Sequence, residues 1–390
     1  MKQTLITGLI LLTFNFALAQ SINIPSGVKI EMSGEVEVEF IDVEGKGGAS
    51  NEDNFLKKIE TRSPHTRIDK AVLDFRVFYS DNITYRISFN FDDDKGFADK
   101  HYLLYKKDNS RIEVGKNRPA VALKRSTEAY PLIGTSYWKG RQYHIDYEHT
   151  LNNFMLGSSI ALKRPLGYDD AAEDKSFRML VYDDAEKIDG QTVEYGVRGG
   201  INLDKLKILG WGYIGKLIDD EDWKKRLHYD FDYYATLEPD NVLNDEANVN
   251  HYWAGCRVDY TLFNTLIRGE YIYSKDGFLA REGYYGELSR DINLPLSSNP
   301  LMLLARYGEL NIDPRGDVFV PLLKDPQTWN RSLITLAAAY NITDYAKIKF
   351  EYYILDEETG DTEDIAEAQN RALQSSVNDN QMLIQLELKF

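Results

Sequence analysis

Apolar and polar residues alternate with a period of two along this chain, in segments of roughly ten residues, the length at which a tilted strand crosses a bilayer. The first segment sets Ile30, Met32, Gly34, Val36, Val38 and Phe40 against Glu31, Ser33, Glu35, Glu37 and Glu39. A hairpin follows. Ala71, Leu73, Phe75, Val77 and Tyr79 oppose Lys70, Asp74 and Arg76; after a turn at Asp81-Asn82, Ile83, Tyr85, Ile87, Phe89 and Phe91 oppose Arg86, Ser88 and Asn90. The last segment sets Met382, Ile384, Leu386, Leu388 and Phe390 against Gln385, Glu387 and Lys389, with Leu383 the one exception. Successive strand side chains point to opposite faces, so each segment reads as a strand with one apolar and one polar face.

Tight turns are expected near Lys107–Asn109, Leu151–Asn153, Leu203–Lys205, Phe263-Asn264 and Asn341–Asp344, while the other connections are mostly longer and more polar. A barrel with both termini on one side needs an even strand number, with short turns and long loops alternating. The strand-like segments Phe177–Tyr182 and His228–Leu237 break that alternation and are assigned to long loops, the second of about residues 218–249. Sixteen strands remain, near 28–42, 67–80, 83–92, 97–106, 110–117, 137–149, 153–163 and 191–202, then 205–217, 250–262, 265–275, 279–290, 299–311, 329–341, 345–356 and 380–390. A soluble sandwich or propeller also has many short strands, but no blade-length repeat is present. The expected fold is all-β: a transmembrane antiparallel β-barrel.

Composition sharpens this picture. Lys2, the apolar run Leu5–Phe16 and Ala17-Leu18-Ala19 read as a signal peptide over residues 1–19, leaving 20–390 as a single barrel domain. No later run is long enough for a membrane-spanning helix, so a membrane crossing has to be a closed barrel. The 26 tyrosines and 17 phenylalanines suit aromatic girdles, with Tyr79 and Tyr85 flanking a short turn on the apolar face. The lone Cys256, on the apolar face beside Ala254 and Val258, rules out an intramolecular disulfide framework. A formal net charge of −16 argues against a nucleic-acid partner.

Several segments together resemble the phosphate-selective porin O/P family. Residues 67–93 (RIDKAVLDFRVFYSDNITYRISFNFDD) resemble its opening hairpin, and residues 111–126 (RIEVGKNRPAVALKRS) the strand leading into its constriction loop. Gly283–Leu288, Ala305–Ile312, the hairpin at 333–352 and the terminal Gln385–Phe390 follow in the family's order. The resemblance implies a sixteen-stranded homotrimer in the outer membrane, whose inward-folded third loop carries basic residues that select anions. It departs at Arg118-Pro119-Ala120-Val121, where the family commonly has Pro followed by an aromatic residue.

The candidate chemistry lies in Lys116–Arg125, where Lys116, Arg118, Lys124 and Arg125 have no acid between them. In a narrow lumen such cations attract small anions such as phosphate. The competing reading pairs them with lumen acids such as Glu128 or Asp74. Arg76 and Arg86 face the lumen by parity, as extensions of the path or as halves of a salt-bridge ladder. The acidic runs Asp219–Asp222 and Asp356–Glu367 read as solvated loop charge, or as carboxylates bridged to lipopolysaccharide through divalent cations. The second is a poor EF-hand, since Gly360 falls one place early. The histidines form no paired metal spacing and no G-x-S-x-G elbow is present. No catalytic residue, metal or cofactor is expected. The reading is a porin passing small hydrophilic solutes through a lumen narrowed by residues 118–136. A structural barrel with an occluded lumen is the alternative, and an outer-membrane phospholipase comes third.

Overall fold

The computed structural model describes residues 27–43, 64–92, 95–123, 127–128, 135, 142–163, 192–216, 250–276, 279–295, 299–312, 329–358, 361–368, 370, 372–373, 375–378 and 380–390. Strands β1 (Lys29–Val43), β2 (His65–Phe78), β3 (Ile83–Asp92), β4 (Lys95–Lys107) and β5 (Ser110–Asn117) are followed by β6 (Gln142–Leu151), β7 (Phe154–Lys163) and β8 (Thr192–Asn202). The second half comprises β9 (Leu206–Lys216), β10 (Asn250–Leu262), β11 (Thr265–Asp276), β12 (Leu279–Ile292), β13 (Leu301–Ile312), β14 (Arg331–Asn341) and β15 (Ala346–Glu358). A short helix α1 (Glu363–Ala368) and strands β16 (Ser376–Asn378) and β17 (Gln381–Lys389) complete it.

Each strand from β1 to β15 pairs antiparallel with the next, and β17 pairs with β1 from Glu35↔Lys389 to Val43↔Gln381. Both β16 and β17 lie against β15 in one unbroken register, Asp356↔Asn378 continuing as Tyr353↔Gln381. They are two pieces of a single stave, so the barrel has sixteen. The strands tilt steeply. A line of paired residues starting at Glu31 runs through Arg76, Arg86, Tyr102 and Gly115, then on around the wall. Although Glu31 lies near the short-turn rim, the line reaches the opposite rim at Leu279, the first residue of β12.

The two faces invert the pattern of a soluble protein. On β14, Arg331, Leu333 and Thr335 are buried while Ile334 and Leu336 are exposed. On β17, Gln385 and Glu387 are buried while Ile384, Leu386 and Leu388 are exposed. Elsewhere Leu156, Val197 and Ile214 stand 69%, 65% and 59% exposed on the outer face. A wall with apolar residues outside and charges inside is stable when hydrocarbon is its outer solvent. Cys256 is exposed on that outer surface, as its phase requires.

The short turns use local chemistry. Phe263 and Asn264 both take positive φ, 48° and 60°, between the paired Leu262 and Thr265, the backbone of a two-residue hairpin that follows the strand twist. Asp108 and Asn152 also adopt positive φ, which short polar side chains tolerate.

The expected strand bounds hold to within a few residues, with informative differences. β2 ends at Phe78, so Tyr79 sits in the turn, because Tyr79 and Ser80 both donate their N–H groups to the Ile83 carbonyl oxygen. β6 begins at Gln142; residues 136–141 lie outside the described residues. Helix α1 occupies part of a run read as loop charge; Glu363 and Asp364 in its first turn complement the helix dipole. Residues 1–19, Phe177–Tyr182, Asp219–Asp222 and His228–Leu237 also lie outside the described residues.

Closure is sealed at the short-turn rim by Gly34 and Phe390. Gly34 N–H donates to the Phe390 carbonyl oxygen at 2.9 Å, and Phe390 N–H returns the bond at 3.1 Å. The Phe390 ring lies over Gly34, where any Cβ would overlap it. Gly255→Val, whose Cβ would lie 2.6 Å from the Tyr271 carbonyl oxygen and against the Trp211 ring, is expected to destabilise the barrel by about 1–3 kcal/mol through overpacking. The checking measurement is the temperature at which the folded band shifts in a heat-modifiability gel. Gly286→Ala, where a Cβ meets open space, should leave that temperature unchanged.

Candidate functional site: the inner wall and the connection after β5

Parity sends charged side chains inward, and there they pair across strands. Asp74 on β2 accepts from Arg86 Nε at 2.8 and 3.0 Å, and also draws Arg76 at 3.6 Å and Lys100 at 3.7 Å. Glu113 accepts from Asn117 Nδ2 at 2.7 Å, lies 3.0 Å from His144 Nε2 and pairs with Arg111. Arg198 reaches Asp146 at 2.6 Å and Glu148 at 2.8 Å; its side chain lies over Gly157, which leaves the space. On the far side Arg268 holds Asp259 at 2.7 Å, Arg306 holds Glu287 at 2.6 Å and Arg331 holds Glu357 at 2.8 Å. Such buried pairs add little net stability, because desolvation offsets the attraction, but deleting one partner typically costs about 3–5 kcal/mol.

Aromatic side chains fill the inner side of β9 and β10. Tyr213 stacks on Trp253 with ring centroids 4.8 Å apart, and Trp211 meets Trp253 edge-on at 6.0 Å. Gly196 and Gly255 lie beneath Tyr213 and Trp211, where a Cβ would collide with the rings.

The chain leaves the wall after β5. Gly115, at φ 136°, has no room for a Cβ against the His101 carbonyl oxygen, so glycine is required at this bend. Pro119 then supplies no N–H for a ladder, and its carbonyl accepts the Ala122 N–H in a turn at 2.9 Å. The described residues that follow bond to strands that are not neighbours of β5. Arg257 Nη1 on β10 donates to the Val121 carbonyl oxygen at 3.2 Å and to Thr135 Oγ1 at 2.8 Å. Thr135 N–H donates to Glu270 on β11 at 3.0 Å, and Arg306 on β13 donates to Thr127 Oγ1 at 3.2 Å. Glu128 N–H donates to the Glu351 carboxylate on β15 at 2.8 Å, while its own carboxylate accepts from Lys349 Nζ at 2.8 Å.

The residues singled out in the sequence separate here. Lys116 is buried in register with His101 and Tyr143, whose polar atoms approach to 3.2 Å. No carboxylate lies in ion-pair range of Lys116 among the described residues. Arg118 is half-buried beside Pro119. Lys124 and Arg125 lie outside the described residues. Arg76 and Arg86 face inward but are drawn to Asp74, which makes them part of a salt-bridge ladder. Glu128 is engaged by Lys349 at 2.8 Å.

Sequence reading missed Arg257, Arg306, Lys349 and Glu351. Their inward phase was legible, but not which of them face the connection. Arg257 stands apart: its bonds go to neutral oxygens, and no carboxylate is in ion-pair range among the described residues.

Arg257→Ala is expected to remove about 1–3 kcal/mol of charge-assisted hydrogen bonding from Val121 and Thr135. In planar bilayers this should appear as higher open-channel noise than in the parent, and in the heat-modifiability gel as a lower shift temperature.

No protein-family model matches the sequence, and no curated protein matches it. Solved structures do match over nearly the full length. The outer membrane channel DcaP of Acinetobacter baumannii has a TM-score of 0.59 at 11% identity, covering 95% of this chain and 100% of that one. An anion-selective porin from Comamonas acidovorans has a TM-score of 0.57 at 10% identity, covering 93% of this chain and 100% of that one. OmpT of Vibrio cholerae, in a trimer form, has a TM-score of 0.54 at 12% identity, covering 93% and 99%. The likeness is to the porin fold at large and does not single out the phosphate-selective O/P family. The fold is that of an outer-membrane porin barrel, and the outer-membrane location follows from that fold and from the apolar outer wall.

Proposed function

We propose that this chain, once its first 19 residues are removed, is a passive outer-membrane porin that works as a homotrimer and passes small hydrophilic solutes. The observation that carries this reading is the reach of Val121, Thr127, Glu128 and Thr135, which hydrogen-bond to inner side chains of β10, β11, β13 and β15. Such a connection folds inward and narrows the lumen, so its side chains and those facing it set what passes. The trimer form described for the Vibrio cholerae protein supports the oligomeric state.

The solute preference is for small anions such as phosphate, set by Lys116, Arg118, Lys124 and Arg125 together with Arg257. A fixed cation that is not neutralised by a neighbouring carboxylate attracts anions strongly where low-dielectric walls focus its field. Arg257 makes no ion pair among the described residues, although Glu270 stands opposite it in register, and its planar fork suits phosphate or carboxylate. The paired arginines, by contrast, stiffen the wall and leave little net field.

In planar bilayers under a salt gradient, the parent channel is expected to give an anion-directed reversal potential. Arg257→Gln combined with Lys124→Glu and Arg125→Glu should shift it toward cations. A cation-directed potential that these changes leave unmoved would discard the anion preference. Absence of any conductance would replace the porin reading with that of an occluded structural barrel.

A further inference from the structure

We propose that the outer face of β4, β5 and β6 around Lys116 is covered by a second copy of this chain and forms the contact between protomers. The inference rests on the homotrimer reading and adds which face the copies use. Register decides the side of the wall on which Lys116 lies. Asn117 bonds Glu113 inside the barrel, and Gly115 pairs with the inward Tyr102 and His144. Lys116 alternates with them and shares its face with Val114, which is 44% exposed between Leu103 and Ile145. It stands six residues beyond Ser110, the first residue of β5. On a tilted strand that is about 15 Å into an apolar band about 25 Å tall.

Hydrocarbon has nothing to offer an ammonium at that depth. The flanking groups offer it no negative charge. His101 on β4 and Tyr143 on β6 stand on either side of Lys116, their polar atoms 3.2 Å apart and their ring centroids 5.4 Å apart across β5. Lys116 is 6% exposed between them and makes no ion pair or side-chain hydrogen bond among the described residues. Other outer-face charges are placed differently. Glu282 and Glu309 lie nearer the long-loop rim, where the hydroxyl groups of Tyr271 and Tyr307 donate to them.

The wall is also notched beside Lys116. β5 has 8 residues and β4 has 13, so Gly96, Phe97 and Ala98 pair with β3 and with no second strand among the described residues. Open strand edges do not persist against hydrocarbon, which calls for a protein surface at this place. Val121 and Thr135 of the connection bond to β10 and β11 instead. Every copy carries the same notch, and a closed ring of copies takes each one out of lipid. The opposite character appears on β8, whose Tyr195 and Val197 stand bare with no charge between them and suit lipid. Lys116 keeps its part in the anion preference, because a charge one sheet away from the lumen is weakly screened across a low-dielectric wall.

The test places a benzophenone cross-linker at Val114 or, for comparison, at Val197 in the full-length barrel in intact outer membranes. Irradiation is expected to join two protomers from Val114 and none from Val197, with the joined chains identified by mass spectrometry. Lys116→Met is expected to lower the temperature at which trimers separate on unheated gels, since the partner's acceptors lose their donor. Trimers that give no Val114 cross-link, or that cross-link from Val197 instead, overturn the assigned face and leave the homotrimer reading intact. A Val114 cross-link to a different protein overturns it as well. Monomers alone discard the homotrimer reading and this inference with it.

Discussion

An amide that meets no partner in this wall faces hydrocarbon, at several kcal/mol for each unsatisfied group. Ring closure meets that constraint, since a sheet joined to itself has no edge. The pairing of β17 with β1 over Glu35↔Lys389 to Val43↔Gln381 is the joint on which the other staves depend. The inverted faces follow from the same requirement: once the strands are held edge to edge, the bilayer takes the apolar side and the charged side has only the lumen. That is why Glu37, Asp74, Glu113 and Arg198 are buried while Leu156 and Val197 are bare.

Confining so many charges in a tube creates a second constraint, that of neutralising them in place. The inner wall answers with cross-strand pairs in which arginine forks hold two acceptors at once, as Arg198 does with Asp146 and Glu148. The connection after β5 draws on the same stock of groups. Its backbone N–H groups at Glu128 and Thr135 occupy the carboxylates of Glu351 and Glu270, and its oxygens occupy Arg257 and Arg306. Wall and connection are therefore one polar network.

The wall was legible in the sequence because a period of two is a local property, readable over ten residues without knowing the neighbours. Phase placed Arg76 and Arg86 inside, and their capture by Asp74 follows from a register only one or two strands away. The contacts of the connection were not legible. Glu128 meets Glu351 across 223 positions and Arg306 meets Thr127 across 179, distances over which composition says nothing about pairing. Helix α1 was missed for a different reason: its six residues are too few to show a helical period.

The join between the first and last staves also has a kinetic meaning. Gln385 bonds Glu39 across 346 positions, so among these contacts it is one of the last that the chain can make. Loop closure over so long a span is slow, and until it happens β1 and β17 each present a full row of unpaired amides. The incomplete sheet is a template for adding strands from other chains. A protein built this way has a long vulnerable interval between export and insertion, and its yield in a cell is governed less by the stability of the finished barrel than by how well its open edges are shielded until they meet.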